Sequence, residues 1–253
     1  MPATPVNSRG KTLAIGFGTT TGMWVVCYVA MMNPGMIVGE ALFVLVLACL
    51  VAGGFVAGRN RTLNEPAWLA GLKVGLVASL LNLLIVGALL VDPQTHRLQA
   101  HAAQWIGGDF AASFLLAIAG AIIGVSASPR AATPVNWHQR FVCVGAATVF
   151  LLLITGGLVT GLKAGLAVPD WPTSFGHNML LYPLAEMSGG KYFEHAHRLY
   201  GMLVGVTAIT LAISMFFFDQ RGWMRALGIV YLLMVSAQGV MGGLRVKIGR
   251  AHV

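Results

Sequence analysis

Charge is what this sequence has least of. Only 9% of its 253 residues are Asp, Glu, Lys or Arg, against 57% hydrophobic, whereas soluble domains carry about a quarter charged residues. That balance excludes an ordinary soluble domain. Acidic residues are the scarcest, eight against sixteen basic ones. There are three cysteines, Cys27, Cys49 and Cys143, all inside apolar runs. None has metal-ligand spacing, so they read as small packing residues and no disulfide is expected. There is no P-loop, no G-x-G-x-x-G after a strand, no H-E-x-x-H and no G-x-S-x-G, which argues against nucleotide hydrolysis and soluble-type hydrolysis. No signal peptide with a cleavage site is evident, so the first apolar run should be retained.

What is present is hydrophobic length. A helix crosses a bilayer in roughly 20 residues, and seven runs are long enough: about Thr12–Met32, Met36–Gly58, Ala67–Val91, Phe110–Ala127, Phe141–Leu162, Leu199–Phe218 and Trp223–Gly243. The fold class expected is all-α, a multi-pass transmembrane helical bundle. The net charge of +8 could suggest nucleic acid, but its placement argues for orientation in a bilayer instead. Arg9, Lys11, Arg59, Arg61, Arg130, Arg140, Arg221 and Arg225 fall at alternate ends of the spans. A cytoplasmic N-terminus in the cell membrane puts them all inside, as the positive-inside rule requires. Pro169–Trp171 and Glu194 then lie on the extracytoplasmic side. No nucleic-acid partner is expected; the lipid bilayer is.

Two segments follow from the spacing. Residues 1–128 hold four spans of unknown role, with His96, His101 and Trp105 in an outer loop. Residues 129–137, with two prolines nearby and little hydrophobicity, read as a cytoplasmic linker. Residues 138–247 hold three more spans and the longest loop, Lys163 to Phe193, and long loops are often functional. Ile248–Val253 reads like a translated sequencing adapter, so a C-terminal truncation near residue 247 is expected. Glycines four apart (Gly157 and Gly161, Gly201 and Gly205, Gly239 and Gly243) should let helices approach closely. His197, Gly201, Gly205 and Ala208 share a helical stripe. His197 should therefore point into the bundle with little bulk before it, leaving room for a flat cofactor, while His195 points elsewhere.

The densest group of polar residues is Phe193-Glu194-His195-Ala196-His197-Arg198. Ionisable groups at a bilayer edge are costly and by default suggest function. One reading makes His197 an iron ligand with the Glu194 carboxylate beside it; another makes the pair a helix start, Glu194 favouring the first turn. Arg198 has a fork suited to a carboxylate or a porphyrin propionate, or it snorkels to the interface. Asp170 and Trp171, between prolines, read as a rigid turn with an interfacial aromatic. His138 and His177 read as structural, His96 and His101 as solvated loop residues, and Asn82 as an interhelical hydrogen bond.

Three stretches resemble a known family. Thr155-Gly-Gly-Leu-Val-Thr-Gly through Val168-Pro-Asp-Trp-Pro172, Glu194-His-Ala-His197-Arg198, and Gln238-Gly-Val-Met-Gly-Gly-Leu-Arg-Val246 resemble, in order, parts of the first three helices and first outer loop of the heme A synthases. The resemblance covers about residues 138–246. It implies an eight-helix protein in two four-helix halves, of which this chain holds three helices. It implies oxidation of a heme O methyl group to the formyl group of heme A, for terminal oxidases. Glu194 would be the catalytic carboxylate, His197 an axial ligand to the substrate heme and Arg198 a cofactor contact. A heme b would belong to the absent half. Partners would be heme O and a heme O synthase or terminal oxidase assembly proteins. The chain departs from the pattern in having no cysteine pair in Ala167–Gly176, and without the missing helices it should not complete the reaction. Two other readings stand beside this one: a non-enzymatic heme-binding or electron-transfer protein, and a proton-coupled transporter.

Overall fold

A peptide backbone in hydrocarbon has no water to bond, so it must bond to itself, and the elements of this chain follow from that. A computed structural model describes residues 5–32, 36–62, 64–127 and 135–250. It contains α1 (Pro5–Met32), α2 (Met36–Arg59), α3 (Ala67–Val86), α4 (Ala102–Ser126), α5 (Trp137–Gly161), α6 (Gly189–Phe218) and α7 (Gly222–Arg250). All seven are long and apolar enough to cross a membrane. Among the described residues there is no strand, only the isolated bridges Val91–Leu98 and Ser174–His177. The all-α transmembrane reading is correct. Most of the linker expected at 129–137 lies outside the described residues, as do residues 251–253.

Two helices begin well before their apolar runs. α4 starts at Ala102 and not near Phe110; α6 starts at Gly189, ten residues before Leu199. Hydropathy marks the residues that lipid tolerates, but a helix continues for as long as its polar side chains find partners. Glu194, His195, His197 and Arg198 therefore sit within α6, not at its mouth.

The chain forms two compact units, one of residues 1–82 and 106–144, the other of residues 83–105 and 145–253. In the first, α1 packs on α2, and glycines set the closest approaches. A Cβ at Gly54 or Gly58 would strike the backbone of Ala117 or Ala121; one at Gly71 or Gly75 would strike Ala117 or Ser113; one at Gly120 or Gly124 would strike Val51 or Phe55. Small-residue packing, expected in the later helices, operates here. In the second unit the expectation fails at five of the six glycines. No heavy atom of the described residues lies within 4 Å of where a Cβ would stand at Gly157, Gly161, Gly201, Gly205 or Gly239, although one at Gly243 would strike the Trp171 indole. Asn82 does make its interhelical contact, to Met23 Sδ at 3.8 Å.

The first unit also holds a charge cluster that spacing did not reveal. Glu65 Oε2 accepts from Lys11 Nζ at 2.6 Å and Oε1 from Lys73 Nζ at 2.9 Å, while Arg61 donates to the Glu65 carbonyl at 2.9 Å. Lys11 is only 3% exposed. Burial pushes the Glu65 carboxyl up, but the hydrogen bonds from the two ammonium groups outweigh it, and the pKa ends below the ordinary value. A depressed folded-state pKa stabilises above the unfolded value, and that contribution is lost as pH falls through the folded one. Glu65→Gln leaves Lys11 buried without its counter-ion, so it should cost about 3 kcal/mol at neutral pH. It should also flatten the loss of stability below about pH 4. Thermal unfolding in detergent across pH checks both; equal melting of parent and variant at pH 7 would remove the cluster's structural role.

Candidate functional site

The loop from Leu162 to Ser188 is built on hydrogen bonds from its own backbone. Asp170 Oδ1 accepts from the Phe175 amide at 2.6 Å and Oδ2 from the Gly176 amide at 2.8 Å. Those two residues have φ of 52° and 78°, a left-handed pair that a carboxylate gathering both amides can hold. Burial pushes the Asp170 carboxyl up, but hydrogen bonds from Thr173, Gly176 and Phe175 outweigh that and leave it below its usual range. The rigid turn read from Pro169–Pro172 is present, and Trp171–Pro172 is a cis peptide. Beyond it, Asn178 caps a 3₁₀ turn at Met179–Leu181 by accepting from the Leu180 amide at 2.9 Å.

Arg198 ties this loop to α6. Its Nη1 donates to the carbonyls of Asp170 at 2.7 Å and Thr173 at 3.0 Å. Its Nη2 donates to the Val168 carbonyl at 3.0 Å and to Glu194 Oε1 at 2.7 Å. Glu194, 4% exposed, completes the arrangement with Oε2, which accepts from the Val168 amide at 2.7 Å. A carboxylate four residues before a guanidinium on one helix is a favourable pair. Here both are buried, so removing either partner would leave an uncompensated buried charge. Glu194, one turn before His197 on α6, bonds Arg198 and the loop rather than the His197 ring. The Arg198 fork bonds protein acceptors and, being buried, does not snorkel.

His197 turns the other way, onto α5. Its Nδ1 lies 3.1 Å from Thr155 Oγ1. Gly156 makes room for the ring, since a Cβ there would sit 2.9 Å from the His197 Cε1. Below His197 on the same stripe, Gly201 and Gly205 have no neighbour at their Cβ positions, and Ala208 is buried. His195 does point elsewhere. It is fully buried, with Nδ1 3.3 Å from Ser174 Oγ and its ring against Tyr182 at 5.5 Å.

Two histidines read as independent form a pair. His96 and His177 stack with centroids 4.1 Å apart and planes within 2°, and His96 Nε2 lies 3.5 Å from Glu186 Oε1. Glu186 Oε2 accepts from the Tyr182 hydroxyl at 2.9 Å. Burial first and the Glu186 carboxylate second push the Tyr182 phenol up to about 12. Nothing in the spacing of His96 and His177 pointed to this contact, because 80 intervening residues separate its halves. Thr155 was equally hidden; its only signal was its place at the head of the Thr-Gly-Gly run.

Residues 139–252 match a family described as Cytochrome oxidase assembly protein. The protein named Heme A synthase COX15 from Bos taurus is 32% identical over 156 residues, 49% of this chain and 36% of that protein. This segment is similar to both. The chain spans about a third of that curated relative's length. No solved structure matches it. The matched segment holds three of the seven helices that are long and apolar enough to cross a membrane. Its residues fit a porphyrin. Among the described residues no cluster of three or more His, Cys, Asp or Glu could cage a metal ion alone, whereas an imidazole beside two glycines with open Cβ positions suits a metal that brings its own planar ligand.

Because Arg198 bonds three loop carbonyls, Arg198→Ala should free the loop while α6 stays helical. Loss of a buried partner should cost about 3–5 kcal/mol. Limited proteolysis should then cut between Lys163 and Ser188, with the parent resistant. Equal resistance in both would show that the clamp is dispensable.

Proposed function

We propose that this chain is the N-terminal part of a membrane oxidoreductase that oxidises the methyl group of heme O to the formyl group of heme A. His197 is the axial ligand to the substrate iron and Glu194 the catalytic carboxylate. The site faces the extracytoplasmic side of the cell membrane, with the N-terminus cytoplasmic. The observation that carries the reading is the seat of His197: an imidazole anchored through Nδ1 on α5, over glycines whose Cβ positions are open, one turn from a buried carboxylate. The likeness to a protein named Heme A synthase supports this choice of chemistry. A bound heme would supply the redox chemistry. His197 would hold the iron, while Arg198 holds the Glu194 carboxylate in place and ties the loop to α6. A heme b would be held by helices beyond this chain. A heme O synthase would supply the substrate, and oxidase assembly proteins would receive the product.

A second reading has an observation in its favour. Both oxygens of Glu194 are engaged by the loop and Arg198, as a purely structural residue would be, which fits a non-enzymatic heme-binding protein. The two readings separate in cells that make heme O. The complete reading frame should yield heme A on chromatography of extracted pigments. Glu194→Gln should abolish heme A yet leave heme bound, and His197→Ala should change the heme spectrum itself. Undiminished heme A in Glu194→Gln would make that residue structural; a colourless purified parent would end the heme reading altogether.

A further inference from the structure

A neutral imidazole can ligate a metal through only one of its nitrogens, and the other must carry the proton. Which nitrogen does so is fixed by the group it bonds. At His197 that group is the Thr155 hydroxyl, 3.1 Å from Nδ1. A hydroxyl has one proton and two lone pairs. The Thr155 proton has a destination, since Oγ1 donates to the Leu152 carbonyl at 3.0 Å. What Oγ1 turns towards Nδ1 is therefore a lone pair, and Nδ1 must supply the hydrogen. The Thr155 hydroxyl thus asks the ring for a proton on the α5 side. Gly156, next along, lets the ring settle against it.

We infer that Thr155 is a positioning residue, one that fixes His197 as the Nδ1–H tautomer and leaves the Nε2 lone pair for iron. This rests on the assignment of His197 as a heme ligand and extends it to a residue that touches no substrate. The hydroxyl does two jobs. It orients the ring about its axis, and by accepting from Nδ1–H it makes Nε2 a more electron-rich donor. A residue of this kind is separable from a filler by chemistry, since valine keeps the shape of threonine and removes the acceptor, while serine keeps the acceptor and removes a methyl.

The test uses the complete reading frame, expressed with heme O available and purified in detergent, with Thr155→Val, Thr155→Ser and His197→Ala beside the parent. Three quantities are read: heme retained per protein, the reduction potential of the bound heme, and the iron–histidine stretching frequency of the reduced form by resonance Raman. Thr155→Val should retain heme about 10- to 100-fold less tightly, as removal of a ligand's hydrogen-bond partner does. The heme it keeps should have a lower stretching frequency and a higher potential than the parent. Thr155→Ser should restore both spectroscopic values. If Thr155→Val keeps the parental frequency and potential while His197→Ala alters the spectrum, the ligand assignment stands and the role of Thr155 falls. If His197→Ala leaves the spectrum of the parent, the ligand assignment fails and takes this inference with it. If valine and serine variants lose heme equally, with unchanged spectra in what remains, Thr155 is packing only and the inference is overturned.

Discussion

A guanidinium removed from water must find acceptors or the structure around it fails. Arg198 finds four: the carbonyls of Val168, Asp170 and Thr173, and the Glu194 carboxylate. The rest of the site is arranged by that requirement. The loop must bring three carbonyls to one point, so it turns at Asp170 and folds its left-handed pair at Phe175 and Gly176. Glu194 must face Arg198, so it faces the loop. His197, one residue before Arg198 on the helix, is thereby aimed at α5, where Thr155 and Gly156 receive it. One cation thus sets the directions of two other side chains by occupying its own.

The two imidazoles of α6 show how much a single helix can separate. His195 and His197 are two residues apart and meet different worlds: one lies fully buried beneath Tyr182 and Ser174, the other against a glycine and a threonine of a neighbouring span. The roughly 100° per residue of an α-helix accounts for the division, and no special device is needed.

The class of fold, the number of spans and the divergence of the two imidazoles were legible in the sequence because each depends on local quantities, hydropathy and helical angle. The starts of α4 and α6 were not, since a helix extends into polar sequence only when distant groups satisfy its side chains. For Glu194 and Arg198 those groups are the backbone of a loop some 25 residues earlier. The same reason hid the Lys11–Glu65–Lys73 cluster and the His96–His177 stack, whose partners are remote in the chain. Glycine spacing misled in a different way. Four-residue intervals occur in both segments, and only the opposing surface decides which serve as contacts: Gly54, Gly58, Gly120 and Gly124 meet backbone, Gly201 and Gly205 meet none.

The stacked imidazoles have a practical consequence for anyone dividing this polypeptide. His96 comes from the connection between the third and fourth spans, yet residues 83–105 fold together with residues 145–253. Cutting the gene at the proline-containing linker would leave the downstream piece without a stretch that covers His177 and engages Glu186. A split-protein strategy should therefore carry residues 83–105 along with the later helices.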